Sequence, residues 1–295
     1  MPKTKLKNYL HLHFLVFIWG FTAILGALIH LSAIPLVWYR MLFAVLFVFL
    51  YFVLKKKSLI VDKKGLIKFL ISGIIIALHW IFFFSAIKVS NVSVALVSMS
   101  TGAFFTSLIE PLFFKRRLNP LEFLFGIIII FGLYIIFNVE TKYTLGIIYG
   151  LTASFLSALF TVLNGLYIKQ YRAGVLSFYQ LFFGVLFITF YILVTTGFTF
   201  KEFSLTASDL VYLLILSSIC TAYAFIVSVK IMEHLTPYTV MLTINLEPVY
   251  GIILAMIIFG EEEKMSPQFY IGAVIILITV LINGLIKNRK PVLPY

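Results

Sequence analysis

The sequence predicts an all-α polytopic membrane protein, with ten transmembrane helices forming two inverted five-helix repeats. Three observations lead there. The first is composition: of 295 residues, 62% are hydrophobic and only 12% charged, with a mean hydropathy of +1.10. A soluble domain carries about a quarter charged residues, so this chain cannot clothe a water-facing surface of its size. The second is a succession of apolar runs, each near the roughly 20 residues that cross a bilayer. The third is an offset of 145 residues at which the pattern of turns recurs. Soluble, disordered and disulfide-framed secreted classes are excluded, the last also by the solitary Cys220. Little length is left for a soluble catalytic domain. No G-x-x-x-x-G-K-[ST] loop occurs, which argues against a pump with its own ATPase.

Taken in order, the apolar runs cover roughly 10–30, 34–54, 66–87, 92–114, 121–138, 145–168, 175–197, 210–232, 238–259 and 268–286. Lys3, Lys5 and Lys7 precede the first run as in a signal peptide. That run is nevertheless long enough to span and no convincing A-x-A site follows, so it is read as an uncleaved first helix. Turn chemistry marks later breaks at Ser32 to Pro35, Asn119–Pro120, Thr236–Pro237 and Ser266–Pro267. The longest polar connection runs from Lys55 to Lys64.

Charge location sets orientation. The +12 net charge does not mark a nucleic-acid binder, because the cations sit in short gaps between apolar runs. With the N-terminus inside, the inner segments collect seventeen Lys and Arg. The outer loops hold four, namely Lys88, Lys142, Lys201 and Lys264, while Arg40 and Lys68 fall within helices. Short cytoplasmic loops carry the positive excess, so both termini are expected in the cytoplasm and the protein in the inner (plasma) membrane.

The offset of 145 relates Ala86-Ile-Lys-Val-Ser-Asn91 to Ile231-Met-Glu-His-Leu-Thr-Pro237, and Ala103-Phe-Phe-Thr-Ser-Leu108 to Pro248-Val-Tyr-Gly-Ile-Ile253. Each copy then closes on a short polar turn and a glycine-bearing helix, with Gly126 and Gly272. Copies of five helices must lie in opposite orientations. The charges agree, since Lys115-Arg116-Arg117 in one copy stands where the other has Glu261-Glu262-Glu263. The repeats are drawn as residues 1–144 and 145–295. Inverted repeats of this kind build secondary transporters with a site at the membrane midplane.

Several strings resemble the EamA-type permeases of the drug/metabolite transporter superfamily. They are Trp19-Gly20 in the first run, Arg40 in the second, Ala86-Ile-Lys88 closing the third, and Leu246-Glu-Pro-Val249 with Phe259-Gly-Glu261 in the second half. The resemblance covers nearly the whole chain. It departs where first repeats of that family usually show Pro, here Ala103, and Gly-Glu, here Lys115-Arg116. The resemblance implies movement of metabolites or drugs, commonly efflux of amino acids or related compounds, with no bound cofactor.

Charges within apolar runs are the first site candidates, because they are costly there and usually face a cavity. Glu247 lies about ten residues, or ~15 Å, into its run. It is a candidate proton carrier linked to substrate binding, and Pro248 beside it can break the helix. A structural bond to backbone or to a basic partner is the competing reading. Glu110, followed by Pro111, lies nearer the cytoplasmic end and can serve a gate or simply pair there. Arg40 can bind a substrate carboxylate or pair structurally. His79 is a possible proton relay and Trp80 a stacking surface for a cation. Trp19, Thr22, Ser98, Thr101, Asn164, Tyr167, Tyr223 and Asn245 can supply the few oriented polar groups a pocket needs. Small residues also pack helices together, and Gly102/Thr106 and Ser157/Thr161 are spaced for that.

His11-x-His13 has the wrong spacing for metal, and no nucleophile elbow or H-E-x-x-H is present. The expected partners are a small-molecule substrate and the lipid bilayer, with no metal, cofactor or nucleic acid and no enzymatic activity. The residues do not specify an oligomeric state. The expectation is alternating-access transport of a small metabolite, with proton coupling open. A membrane-embedded lipid-active enzyme and a transporter-like scramblase or sensor are the alternatives.

Overall fold

The computed structural model describes residues 3–115, 117 and 120–289; Arg116, Asn119 and Lys290, which enter the sequence reading, lie outside them. The described residues form helices and turns, with no strand among them. In chain order the α-helices are α1 (Lys3–Leu28), α2 (Ala33–Leu54), α3 (Lys63–Val89), α4 (Val92–Met99), α5 (Gly102–Phe114), α6 (Pro120–Val139) and α7 (Thr144–Tyr167). They continue as α8 (Ala173–Thr195), the single turn α9 (Phe200–Phe203), α10 (Ala207–Ser217), α11 (Ala224–Ile231), α12 (Pro237–Ile244), α13 (Glu247–Phe259) and α14 (Pro267–Arg289). A π-helical stretch, Ser218–Tyr223, joins α10 to α11.

Eight helical stretches among the described residues are long and apolar enough to cross a membrane. Two of these are composite: Val92–Phe114 runs through α4 and α5, and Ala207–Ile231 through α10, the π segment and α11. The two remaining apolar helices, α6 and α14, contribute the shorter stretches Leu124–Asn138 and Pro267–Thr279. The chain is a multi-pass membrane protein.

Four helix starts, at α3, α4, α10 and α12, follow from side-chain caps that occupy otherwise orphaned N–H groups. Gly65 donates its N–H to Asp62 Oδ1 at the start of α3 (3.1 Å), Val94 to Asn91 Oδ1 at α4 (2.9 Å) and Thr239 to Thr236 Oγ1 at α12 (3.2 Å). A reciprocal capping box of Thr206 and Asp209 opens α10.

The fourth and ninth apolar runs are both broken, and in the same way. An eight-residue helix, two residues of interruption and a thirteen-residue helix occur from Val92 to Phe114 and again from Pro237 to Phe259. Asn91 and Thr236 cap the two copies, and both end in a positive φ, at Lys115 (52°) and Gly260 (57°). Each broken helix also delivers a carboxylate to the start of the other. Tyr238 N–H donates to Glu110 Oε2 (3.0 Å), while Val92 and Ser93 N–H donate to Glu263 Oε1 and Oε2 (2.8 and 2.9 Å). The end of each therefore meets the beginning of its partner, and the two run antiparallel.

Around this pair, α1 packs on α12 and α13, and α7 on α4 and α5. Helix α3 packs on α7 and α8, and α2 on α8. Helices α6 and α14 pair closely at one flank. There a Cβ on Gly272 would sit 2.7 Å from the Gly132 carbonyl, and one on Gly132 would sit 3.0 Å from the Gly272 carbonyl, so only glycine allows the approach. Buried polar bonds tie the layers: Gln180 of α8 donates Nε2 toward Ser72 Oγ of α3 (2.8 Å) and Asn164 Oδ1 of α7 (2.7 Å).

Candidate functional site

Two broken helices, a π turn and a buried arginine build the central cavity. Pro248 has no N–H to give, so it interrupts the ladder just after Ile244 and starts a new helix with Glu247 as its first residue. The carboxylate of Glu247 thus stands at the positive end of a half-helix inside the membrane layer. The other break forms without proline, since Ala103 stands at the equivalent place. Hydroxyls supply it instead: Ser100 Oγ donates to the carbonyl of Val97 (2.6 Å), and Thr101 Oγ1 lies 2.8 Å from that of Ser98.

In the π segment, the Thr221 hydroxyl donates back to the Leu216 carbonyl, five residues earlier (2.7 Å). The wider turn presents Thr221 Oγ1 to Arg40 Nε (2.7 Å) and turns the Cys220 carbonyl toward the Trp19 indole N–H (3.1 Å). Such π insertions often mark functional sites.

Arg40 is 2% exposed, and its guanidinium carbon lies 4.1 Å from the centroid of the Trp80 ring. Its Nη1 is buried without a hydrogen-bond partner. Glu247 feels the Arg40 charge, yet its carboxylate takes no hydrogen bond among the described residues. Both line a cavity of about 70 Å³. Asn164 lines it too, with Oδ1 occupied by Gln180 and Nδ2 left unpaired. His79 places Nδ1 2.8 Å from the carbonyl of Ala153, an acceptor only, so Nδ1 carries the proton and Nε2 is left free to accept. Trp19, Trp80, Phe83, Phe160 and Phe225 supply aromatic walls.

Seven of the thirteen residues singled out from sequence therefore meet at one cavity: Trp19, Thr22, Arg40, His79, Trp80, Asn164 and Glu247. The other six lie elsewhere. Tyr167 sets its ring edge-on against Phe69, 6.4 Å between centroids. Ser98 bonds back to the Val94 carbonyl (2.9 Å) and packs against Gly150. Thr101 lies 2.9 Å from Ser154 Oγ, fastening the first break to α7. Asn245 is buried in the second break with both amide atoms unpaired, close to Gly102. Glu110 caps α12. Tyr223 points outward, 42% exposed, with its hydroxyl 2.8 Å from His11 Nε2.

Ser157 and Thr161, spaced for helix packing, are both buried in α7 and also line the cavity. Thr221, Phe160, Phe225 and Ser228 were missed. No charge or motif flags them, and the π turn that aims Thr221 has no sequence marker. Among the described residues, no group of three or more His, Cys, Asp or Glu gathers as a metal site.

Comparison with known proteins is consistent with this architecture. The model of the EamA-like transporter family matches twice, over residues 7–138 and 144–285. An uncharacterized transporter of Clostridium kluyveri is 25% identical over 206 residues, 67% of this chain and 65% of the relative, so the match spans just under two thirds of that protein. A protein of known crystal structure shares the fold with a TM-score of 0.67 at 13% identity, covering 94% of this chain and 96% of that one.

Proposed function

The chain belongs to the EamA-like transporter family, and from that premise we propose that it moves a small zwitterionic metabolite, an amino acid or close relative, out of the cell in exchange for protons. The observation that carries this reading is the pair of incompletely partnered groups of opposite charge in one aromatic-walled cavity. Arg40 Nη1 and the Glu247 carboxylate have donor and acceptor capacity to spare. A substrate carboxylate suits the first, a substrate ammonium the second, and the indole of Trp80 favours cationic or apolar groups beside it.

Glu247 gives the cycle its coupling. One carboxylate, held at a half-helix start, is neutralised either by a proton or by the substrate ammonium. If reorientation is permitted only in the neutralised states, substrate leaves as a proton enters. A ligand shifts the inward–outward balance only through different affinity for the two states; Glu247 supplies that difference.

The moving parts are ten spans in two inverted halves, residues 1–144 and 145–295, with both termini in the cytoplasm and the protein in the inner membrane. The doubled family match, the matching breaks at an offset of 145 and the antiparallel course of the broken helices support this arrangement. The central cavity lies between the two halves, in the manner of inverted-repeat transporters.

The test is flux in proteoliposomes under an imposed pH gradient. Amino acid efflux from wild-type protein should accelerate when the opposite side is acidified, and Glu247→Gln should retain only a residual, gradient-independent exchange. A Glu247→Gln protein that still responds to the gradient would remove Glu247 from the coupling role.

A further inference from the structure

A second, larger cavity of about 640 Å³ lies on the flank between α2, α11 and the start of α8. Its polar end carries Lys57, Arg172 and Lys230 against a single carboxylate, Glu233. Lys57 donates to the Tyr51 hydroxyl (2.8 Å) and lies over its ring, and Arg172 Nη2 donates to the Ser58 carbonyl (2.5 Å). The Lys230 ammonium has no hydrogen-bonded partner among the described residues. Ala173 and Gly174, the first residues of the 23-residue α8, line the same end. No side chain caps that helix, so its first N–H groups add a positive dipole end to the cations. Phe52 lies against Gly174, and about one turn back along α2 and α11 the wall is apolar, formed by Phe47, Val48, Ile226 and Val227. One ligand chemistry complements both regions at once: a phosphodiester joined to an acyl chain.

We propose that this groove holds an anionic phospholipid of the cytoplasmic leaflet, its phosphate among Lys57, Arg172 and Lys230 and an acyl chain along Phe47, Val48 and Ile226. The assignment to that leaflet rests on the orientation proposed above, because the connections bearing Lys57 and Arg172 belong to the cation-rich side. The position is one where a lipid arrives from the bilayer without crossing water. It is separate from the Arg40–Glu247 cavity, and no residue lines both. Basic pockets between helices at the cytoplasmic face recognise anionic headgroups, with each cation near the surface adding about fivefold in affinity.

The experiment uses the full-length protein in detergent, titrated with dioleoylphosphatidylglycerol or dioleoylphosphatidylcholine and read by native mass spectrometry. Wild-type protein should retain phosphatidylglycerol in preference to phosphatidylcholine. Lys57→Gln/Lys230→Gln should cut that preference by about tenfold or more, while Lys201→Gln, on the opposite set of loops, should leave it intact. Inorganic phosphate at millimolar concentration should not displace the lipid. Equal retention of the two lipids, an unchanged preference in the double variant, or full displacement by inorganic phosphate would each overturn the proposal. Binding is read without transport and in detergent open to both faces. Its failure is therefore distinct from failure of the transport mechanism or of the orientation.

Discussion

Arg40 is fixed by one bond and unfinished at another. Its Nε is committed to Thr221, its plane lies over Trp80, and Nη1 remains free. A buried guanidinium left this way loses water without full repayment, a cost that makes sense if a ligand completes it. Arg40→Lys keeps the charge but cannot hold Thr221, cover the indole and present a second donor together. The expected result is a KM for the zwitterionic substrate raised about tenfold or more, since a charged hydrogen bond contributes roughly 1.5–3 kcal/mol, while the protein stays folded by circular dichroism. A KM unchanged in that variant would contradict the role. Arg40 and Glu247 were legible in the sequence because charge is so scarce in these runs. Thr221 and Phe160 were not, because hydroxyls and phenylalanines are common there and only the π turn and the packing of α7 select these two.

The broken helices place the site, and their breaks arise from different chemistry. Pro248 announced one in the sequence; Ser100 and Thr101 made the other through hydroxyl bonds that any packed helix could also contain. Hence the departure from the family at Ala103 left the break in place. Two predictions belong at this scale. Glu263 accepts two backbone N–H groups at the start of α4, a buried cap with a charge at the positive helix end. Glu263→Ala should lower stability by about 1–2 kcal/mol, and Glu263→Gln by less, in denaturant titrations of the detergent-solubilised protein. Lys115 ends α5 in the left-handed region at φ 52° without being glycine. Lys115→Gly should therefore raise stability by up to about 1 kcal/mol, because the strain of a side chain in that conformation is relieved. A lower melting temperature for Lys115→Gly would show that the lysine side chain contributes more than the strain costs.

Across the whole molecule, composition identified the membrane and loop cations set the expected orientation, whereas the exact number of spans depends on α6 and α14. Their described apolar stretches are shorter than the other eight, and their tight glycine contact at Gly132 and Gly272 is a packing feature invisible to hydropathy. Orientation is open to direct reading. With Cys220→Ser removing the native thiol, Lys201→Cys in intact cells should react with a membrane-impermeant maleimide and Lys56→Cys should not; the reverse pattern would invert the topology. The most direct test of the central claim, that Arg40 and Glu247 hold opposite ends of one zwitterion, is counterflow exchange in proteoliposomes. A panel of labelled amino acids would be compared with their decarboxylated amines and deaminated acids. The account predicts exchange of at least one amino acid but of neither partial analogue, lowered at least tenfold by Arg40→Gln and by Glu247→Gln separately. Equal exchange of the amine or the acid, or undiminished exchange in either variant, would contradict it.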